Sequence, residues 1–336
     1  MNVFEDRRES TRARELCGDY WLNGGPLPLA AHRGQTILLF FWDFTCVHSL
    51  QILPAVSEWD REYRGLGLLS AGVHTPRFPF GREPGGVETA LRRHGVDFPV
   101  VLDNQGLIAA GYGVSALPAF RVVDHRGAVR FCFPGDVHLF EVEHALRALL
   151  HEAGPGRELP LPRISRGEGA RGRAAADLLM GYGKGSLGNV EGYSPEAVVR
   201  YEDPGIYLEG RFYAAGCWQN GRDCLRFDPA QEGEGRIVVS HRSAEVAAVI
   251  RSEETPQSLV EVLQDGAPLE ASAGGGDIRR TADGRTLVRV REGRAYSLIL
   301  NGDGAPHLLQ MITRSGGCAF YALMFSPAGV SETAPR

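Results

Sequence analysis

The hydrophobic rhythm of this 336-residue chain changes near residue 154, and the change rules out a single layered domain. Before it, strand-like and helix-like stretches alternate. TILLFFW (36–42) is a buried strand, and just beyond it Leu50, Leu53, Val56 and Tyr63 share one helical face. GLGLLSAGV (65–73) is the next strand, VETALRRHG (87–95) a short helix ending at a capping Gly95, and PAFRVVD (118–124) pairs with AVRFCF (128–133) around the turn HRG. A last helix, LFEVEHALRALLHEAG (139–154), puts Leu139, Val142, Leu146 and Leu149 on one side. This order predicts an α/β domain with a mixed sheet over residues 1–153. Residues 154–176 hold five Gly, three Pro and five Arg without apolar periodicity, and read as a linker or an extended crossing segment. From 177 to 330 there are only short β-prone runs, among them RIVVSHRS, VAAVIRS, SLVEVLQDG, RTLVRVREG and CAFYALMFS, separated by Gly, Asp and Asn turns. That pattern predicts an all-β sandwich or jelly roll.

Charge and cysteine usage narrow the function classes. A formal net charge of -5, with no basic stripe, gives no general attraction to nucleic acid or anionic membrane. No apolar run approaches the roughly 20 residues that span a bilayer, and the charged start MNVFEDRRESTRAR lacks a signal-peptide core, so the expected location is the cytoplasm. Six cysteines, at 17, 46, 132, 217, 224 and 318, are too few and too scattered for a disulfide scaffold. Cys132 alternates with Phe131 and Phe133 and reads as a small core residue, and Cys17 as a stray surface or packed thiol, with a distant resolver for Cys46 as its lesser reading. In CWQNGRDC (217–224), a two-residue Asn220-Gly221 turn would set Cys217 opposite Cys224 at a separation a disulfide tolerates, although free thiols are expected in a reducing compartment. Tyr207, Phe212, Tyr213 and Trp218 are candidates for a sugar-stacking face, with core packing as the default. No carboxylate pair, phosphate loop, Ser-His-Asp set or metal-ligand spacing stands out, so neither metal nor cofactor is expected.

The stretch FFWDFTCVHS (40–49) carries the chemistry. Cys46 follows a strand and opens a helix, where unpaired N–H groups and the helix dipole favour a thiolate, the nucleophilic form. His48, when protonated, would add to that effect, and Ser49 would donate a hydrogen bond, whereas Asp43 would oppose it.

These residues, with WLNGGPLPLAAHRGQTILLFFW, Pro54, GLLSAGVHTPRFPF, FPVVLDNQG and Leu117-Pro118, resemble the thioredoxin-like redoxins of the TlpA/DipZ thiol:disulfide interchange branch. LLMGYGKGSLGN, YLEGRFYAAGCW and the closing YSLIL and AFYALMFSP resemble the β-sandwich of DipZ-type proteins, a module likened to carbohydrate-binding modules. The likeness spans residues 15 to 328 and implies a thioredoxin-like domain in which Cys46 faces a cis Leu117-Pro118 peptide, with Trp42, Asp43, Leu117 and Pro118 around the substrate; His74, after the next strand, is a candidate substrate contact with loop structure as the default. Relatives of this kind are extracytoplasmic. Two departures matter. Ser49 stands where the family carries its resolving cysteine, and Phe40 where it commonly carries a buried acid. The family's usual acid is also replaced by Arg77 in the HTPRF loop. The leading expectation is a monothiol oxidoreductase: Cys46 attacks a protein disulfide or an oxidised low-molecular-weight thiol, and an external thiol resolves the product. Two alternatives stand beside it. One is a redox-inactive adaptor binding a chain near Pro118 and a sugar or protein at the sandwich. The other is a Cys46-dependent peroxidase, disfavoured because Thr45 adjoins the cysteine instead of preceding it by three residues.

Overall fold

The computed structural model describes residues 11–18, 20–134, 139–164, 175–230, 233–301 and 304–326. It divides into two compact units, residues 1–170 and 171–336.

In the first unit the elements run β1 (Thr11–Arg12), β2 (Trp21–Leu22), β3 (Thr36–Trp42), α1 (Val47–Tyr63), β4 (Leu68–His74), α2 (Pro84–Arg93), β5 (Val100–Leu102), α3 (Leu107–Gly111), β6 (Ala119–Val123), β7 (Ala128–Phe133) and α4 (Leu139–Ala153). They build one sheet in the order β1-β7-β6-β3-β4-β5-β2. The β3, β4 and β5 strands are parallel, while β6 and β7 return antiparallel. All seven residues of β3 are buried because both faces of the sheet are covered. Ile37, Leu39 and Phe41 pack with Leu16, Ile108 and Ala109 on one side. On the other, Phe40 stacks on Phe120 with ring centroids 4.9 Å apart, and Trp59 of α1 meets the same ring edge-on. The position where the family carries an acid is thus filled by a ring inside an aromatic cluster. Strand β3 ends at Trp42, and its antiparallel partner β6 starts directly after the Leu117-Pro118 peptide, which is cis. The end of β3 and the start of β6 therefore meet at one end of the sheet, and that places the site.

Two expectations change here. Cys132 is exposed instead of forming part of the core: β7 is half-buried along its length, and only the two-residue β1 borders it on the outer side. The first part of the presumed linker is also not free. The Glu143 carboxylate, itself buried, accepts the backbone N–H groups of Arg163 and Ile164 at 2.9 Å each, and Arg147 and Arg157 hold the Pro160 and Leu66 carbonyls.

The second unit is all β, as expected: β8 (Leu178–Leu179), β9 (Val198–Tyr201), β10 (Phe212–Asn220), β11 (Leu225–Phe227), β12 (Gly235–His241), β13 (Glu245–Ser252), β14 (Ser258–Gln264), β15 (Ala267–Pro268), β16 (Ile278–Arg280), β17 (Thr286–Val290), β18 (Arg294–Leu300), β19 (His307–Thr313) and β20 (Cys318–Ser326). Their order, β16-β17-β14-β19-β12-β10-β11-β20-β13-β18, folds over one apolar core. The long β10 makes the corner: residues 212–215 pair with β12, residues 216–219 pair with β9, and Gly216 between them sits at φ 92, a conformation open to glycine. At the far edge, Gly275 and Asp277 donate to the Leu298 and Ser297 carbonyls of β18, nearly closing the sheet.

The Cys217–Cys224 pairing does not occur. Asn220 pairs with Leu225, so the turn spans Gly221 to Cys224, and Cys217 accepts from the Asp228 N–H instead. Neither cysteine is in a disulfide. The cause is Asn220, whose buried amide accepts from Tyr201 Oη at 2.6 Å and donates to the Trp218 carbonyl at 3.0 Å. Those bonds keep it inside the strand and push the turn outward. The sugar-stacking set fails for a related reason: Phe212, Tyr213 and Trp218 are buried, two of them in the sandwich core, and only Tyr207 is half-exposed.

Candidate active site at Cys46

Cys46 is the N-cap of α1, with φ -94 and ψ 110, and its carbonyl accepts the Leu50 N–H at 3.0 Å. Its sulfur lies 3.9 Å from the Leu117 carbonyl oxygen, so β3 and β6 bring together the two parts expected from the sequence. The electrostatics differ from the expectation. Cys46 is only 1% exposed, and burial raises the thiol above its ordinary range, outweighing the Ser49 hydroxyl and backbone N–H and the Arg77 charge, all of which pull it down. The magnitudes explain the reversal. A helix N-terminus contributes about 0.3–1 kcal/mol to a nearby anion, while removing a charge from water carries a penalty of several kcal/mol. The resting sulfur is a thiol, not a thiolate.

Ser49 is placed to hydrogen-bond that sulfur. It is fully buried, and its Oγ accepts the Asp43 N–H at 3.4 Å, leaving the hydroxyl hydrogen for Cys46. His48 is half-buried in the first turn of α1. Leu117 is half-buried, and Pro118 is buried behind it.

Three residues expected to touch substrate do not reach the surface. Trp42, Asp43 and His74 are each 0% exposed. Asp43 instead fastens the loop that carries Cys46. Its Oδ1 accepts the Thr45 N–H at 3.0 Å, and its Oδ2 accepts the Thr45 hydroxyl at 2.5 Å and the Arg77 N–H at 3.1 Å. His74 Nε2 stands 3.4 Å from Asp43 Oδ1 and equally far from the Phe44 nitrogen. Nε2 thus lies between the Phe44 N–H, which donates to it, and the Asp43 carboxylate, while Nδ1 is buried with no partner among the described residues. The imidazole stacks on Phe44 at 5.4 Å and meets Trp42 edge-on at 5.2 Å. Burial alone would raise the Asp43 carboxyl, but the His74 hydrogen bond and charge, with Thr45, hold it below the ordinary carboxylate range. Thr45 and the Arg77 backbone were missed in the sequence. The Asp-x-Thr spacing was the available signal, because an aspartate commonly caps its own backbone two residues on. With its hydroxyl hydrogen given to Asp43, Thr45 has no donor left for a peroxide beside Cys46, which weighs against the peroxidase alternative.

The thiols differ in access, and a labelling order follows. Cys17 and Cys132 are exposed, Cys46, Cys217 and Cys318 buried. Iodoacetamide at pH 7 is expected to modify Cys17 and Cys132 first. The rate at Cys46 should keep climbing past the ordinary thiol pKa of about 8.5. Peptide mass spectrometry across pH 6–10 reads this directly, and a Cys46 rate that levels off below pH 8 contradicts the raised thiol.

Comparison with known proteins agrees with this architecture. Residues 13–132 match the AhpC/TSA family, and residues 177–326 match the thioredoxin like C-terminal domain. Protein DipZ of Mycobacterium bovis is 32% identical over 193 residues, covering 56% of this chain and 26% of that protein. The chain thus spans about a quarter of the DipZ length. Thiol-disulfide oxidoreductase ResA of Geobacillus thermodenitrificans is 27% identical over 130 residues, 38% of this chain and 71% of that protein. Among solved structures, a thiol-disulfide isomerase from Corynebacterium glutamicum covers 42% of this chain and 97% of its own, at 20% identity and a TM-score of 0.39. An AhpC/TSA-family domain is thus followed by a thioredoxin like C-terminal domain, and in this order the chain is similar to the DipZ-type thiol-disulfide proteins.

Proposed function

We propose that the protein is a thiol-disulfide oxidoreductase working through one thiol. The supporting observation is the Cys46 sulfur set between the Ser49 hydroxyl and the Leu117 carbonyl, with no cysteine at position 49. Cys46 loses its proton to solvent base, and the thiolate attacks one sulfur of a disulfide R–S–S–R′. The Cys46–S–S–R bond forms, the S–S bond of the substrate breaks, and R′–S⁻ leaves with the electron pair. A second thiolate, R″–S⁻, then attacks the R sulfur, giving R–S–S–R″ and regenerating the Cys46 thiolate. Ser49 can stabilise that thiolate in both steps but cannot perform the second attack, so an external thiol is required. The Leu117 backbone is the neighbouring group on which an extended substrate could align. Among the described residues no helix is long and apolar enough to cross a membrane.

Reduction of bis(2-hydroxyethyl) disulfide by glutathione tests the reading. Wild type is expected to accelerate it, Cys46→Ser to abolish the gain, and protein quenched with acid during turnover to show on Cys46 a 2-hydroxyethylthio adduct, or a glutathione adduct where the attacked disulfide is the mixed one with glutathione. A wild-type rate equal to background rejects the proposal.

The burial of Cys46 favours a second reading, in which the first unit is a redox-inactive binding module. The same experiment separates the two. An adaptor leaves Cys46 unmodified and the background rate unchanged, while Cys46→Ser keeps full binding to any partner.

A further inference from the structure

At the end of the first sheet opposite Cys46, three exposed arginines line an open surface cavity of about 430 Å³ bounded by Arg12, Arg33, Arg126, Gly127 and Ala128. Arg33 lies just before β3 and Cys46 just after it, so seven strand residues at about 3.3 Å each put the cavity more than ~20 Å from the thiol. The backbone fixes the convergence. Arg12 pairs in register with Ala128, Ala13 donates to the Gly127 carbonyl at 2.9 Å, and Gly34 donates to the His125 carbonyl at 2.8 Å. Gly127, at φ 81, has no side chain, and the Arg33 guanidinium occupies the space a Cβ would take.

Among the described residues, the nearby carboxylates Glu15 and Asp124 are occupied elsewhere. Glu15 accepts the Leu29 and Ala30 N–H groups at 2.7 and 2.9 Å. Asp124 accepts the Arg126 and Ala128 N–H groups at 3.0 and 2.9 Å and faces Arg130. Arg126 Nε contacts only the neighbouring His125 ring, at 3.4 Å, and no ion pair to Arg12 or Arg33 is present among the described residues. Three like charges gathered with no ion-paired carboxylate among the described residues repel one another, in a chain whose formal net charge is -5. The cluster is therefore a local arrangement and not the result of a basic composition.

We propose that this cavity binds a soluble phosphate monoester at a site separate from the thiol chemistry. Each guanidinium is a rigid fork of donors that matches two oxygens of an oxyanion. A dianionic phosphate group presents three terminal oxygens to three forks, whereas a carboxylate can engage one fork fully. The small Gly127 and Ala128 floor and the cavity volume leave room for the ester substituent.

The test uses the full chain at fixed ionic strength, titrated with glycerol phosphate, inorganic phosphate and acetate and followed by calorimetry and ³¹P line broadening. Glycerol phosphate is expected to bind, inorganic phosphate to bind more weakly, and acetate not to bind. Arg33→Gln with Arg126→Gln should weaken phosphate binding at least tenfold while leaving the Cys46 alkylation rate unchanged. Equal binding in the double variant, or equal heat from acetate, overturns the site. Retention on phosphatidic-acid vesicles without binding of the soluble ester overturns the ligand class.

Discussion

Replacing Asp43 by alanine is expected to remove about 3–5 kcal/mol from the stability of the first unit, the range for breaking a buried charged network by deleting one partner. The change leaves the Thr45 N–H, the Thr45 hydroxyl, the Arg77 N–H and the His74 ring without their acceptor in a place water does not reach. Asp43→Asn keeps the shape and one acceptor oxygen, so it should lose less, about 1–3 kcal/mol. The pH dependence has a definite sign. The folded Asp43 carboxyl is held below its ordinary value, so its contribution is complete above the unfolded pKa of about 3.9 and disappears as pH falls through the lower folded value. Trp42 and Trp59 lie buried in the first unit, and their fluorescence reports its urea transition. The midpoint of wild type should drop between pH 5 and 3 by more than that of Asp43→Ala. Identical drops, or a loss under 1 kcal/mol at pH 7, would show that Asp43 is not what holds the loop.

Asp43 also shows what the sequence could and could not disclose. The order of strands and helices was legible because apolar spacing reports which face of an element is covered, and it led correctly to both units. The meeting of Cys46 with Leu117 was legible only through resemblance, since the two are 71 residues apart in the chain. Burial at the site was not legible. A strand end next to a helix cap suggests exposure, yet Phe44, Phe78 and Phe80 from the neighbouring loops close over this end of the sheet, with all three buried. That cover turned Asp43 and His74 from expected substrate contacts into an internal pair, and it reversed the expected shift at Cys46. Cys132 erred in the other direction. Alternation in VRFCF looks like a core strand, but nothing in the sequence shows that β7 lies near the edge. The Cys217 turn failed because the Asn-Gly signal competes with a buried amide network whose members come from residues 197–201.

Ser49→Cys is the second change with a large expected effect, because it supplies the missing resolving thiol in the first turn of α1, three residues beyond the attacking sulfur. Removing the serine hydroxyl loses a weak bond from the Asp43 N–H, 3.4 Å long, so the structural loss is small. The kinetic gain is not small. An intramolecular thiol acts at an effective concentration of the millimolar range or more, independent of added glutathione. Insulin reduction driven by dithiothreitol should therefore rise at least tenfold over wild type, and mass spectrometry should find a disulfide between Cys46 and the introduced thiol. Restoring the acid as well, by adding Phe40→Glu, should reverse the benefit. Phe40 packs at 4.9 Å on Phe120 with no exposure, and replacing it with a charge removes ring packing and buries a carboxylate, a loss of about 3–5 kcal/mol or more. The aromatic cluster has thus closed the route back to the two-thiol, acid-assisted site, while the single serine has not. If Ser49→Cys folds, forms its disulfide and still reduces insulin no faster than wild type, access to Cys46 is what limits the chemistry, and the binding-module reading gains over catalysis.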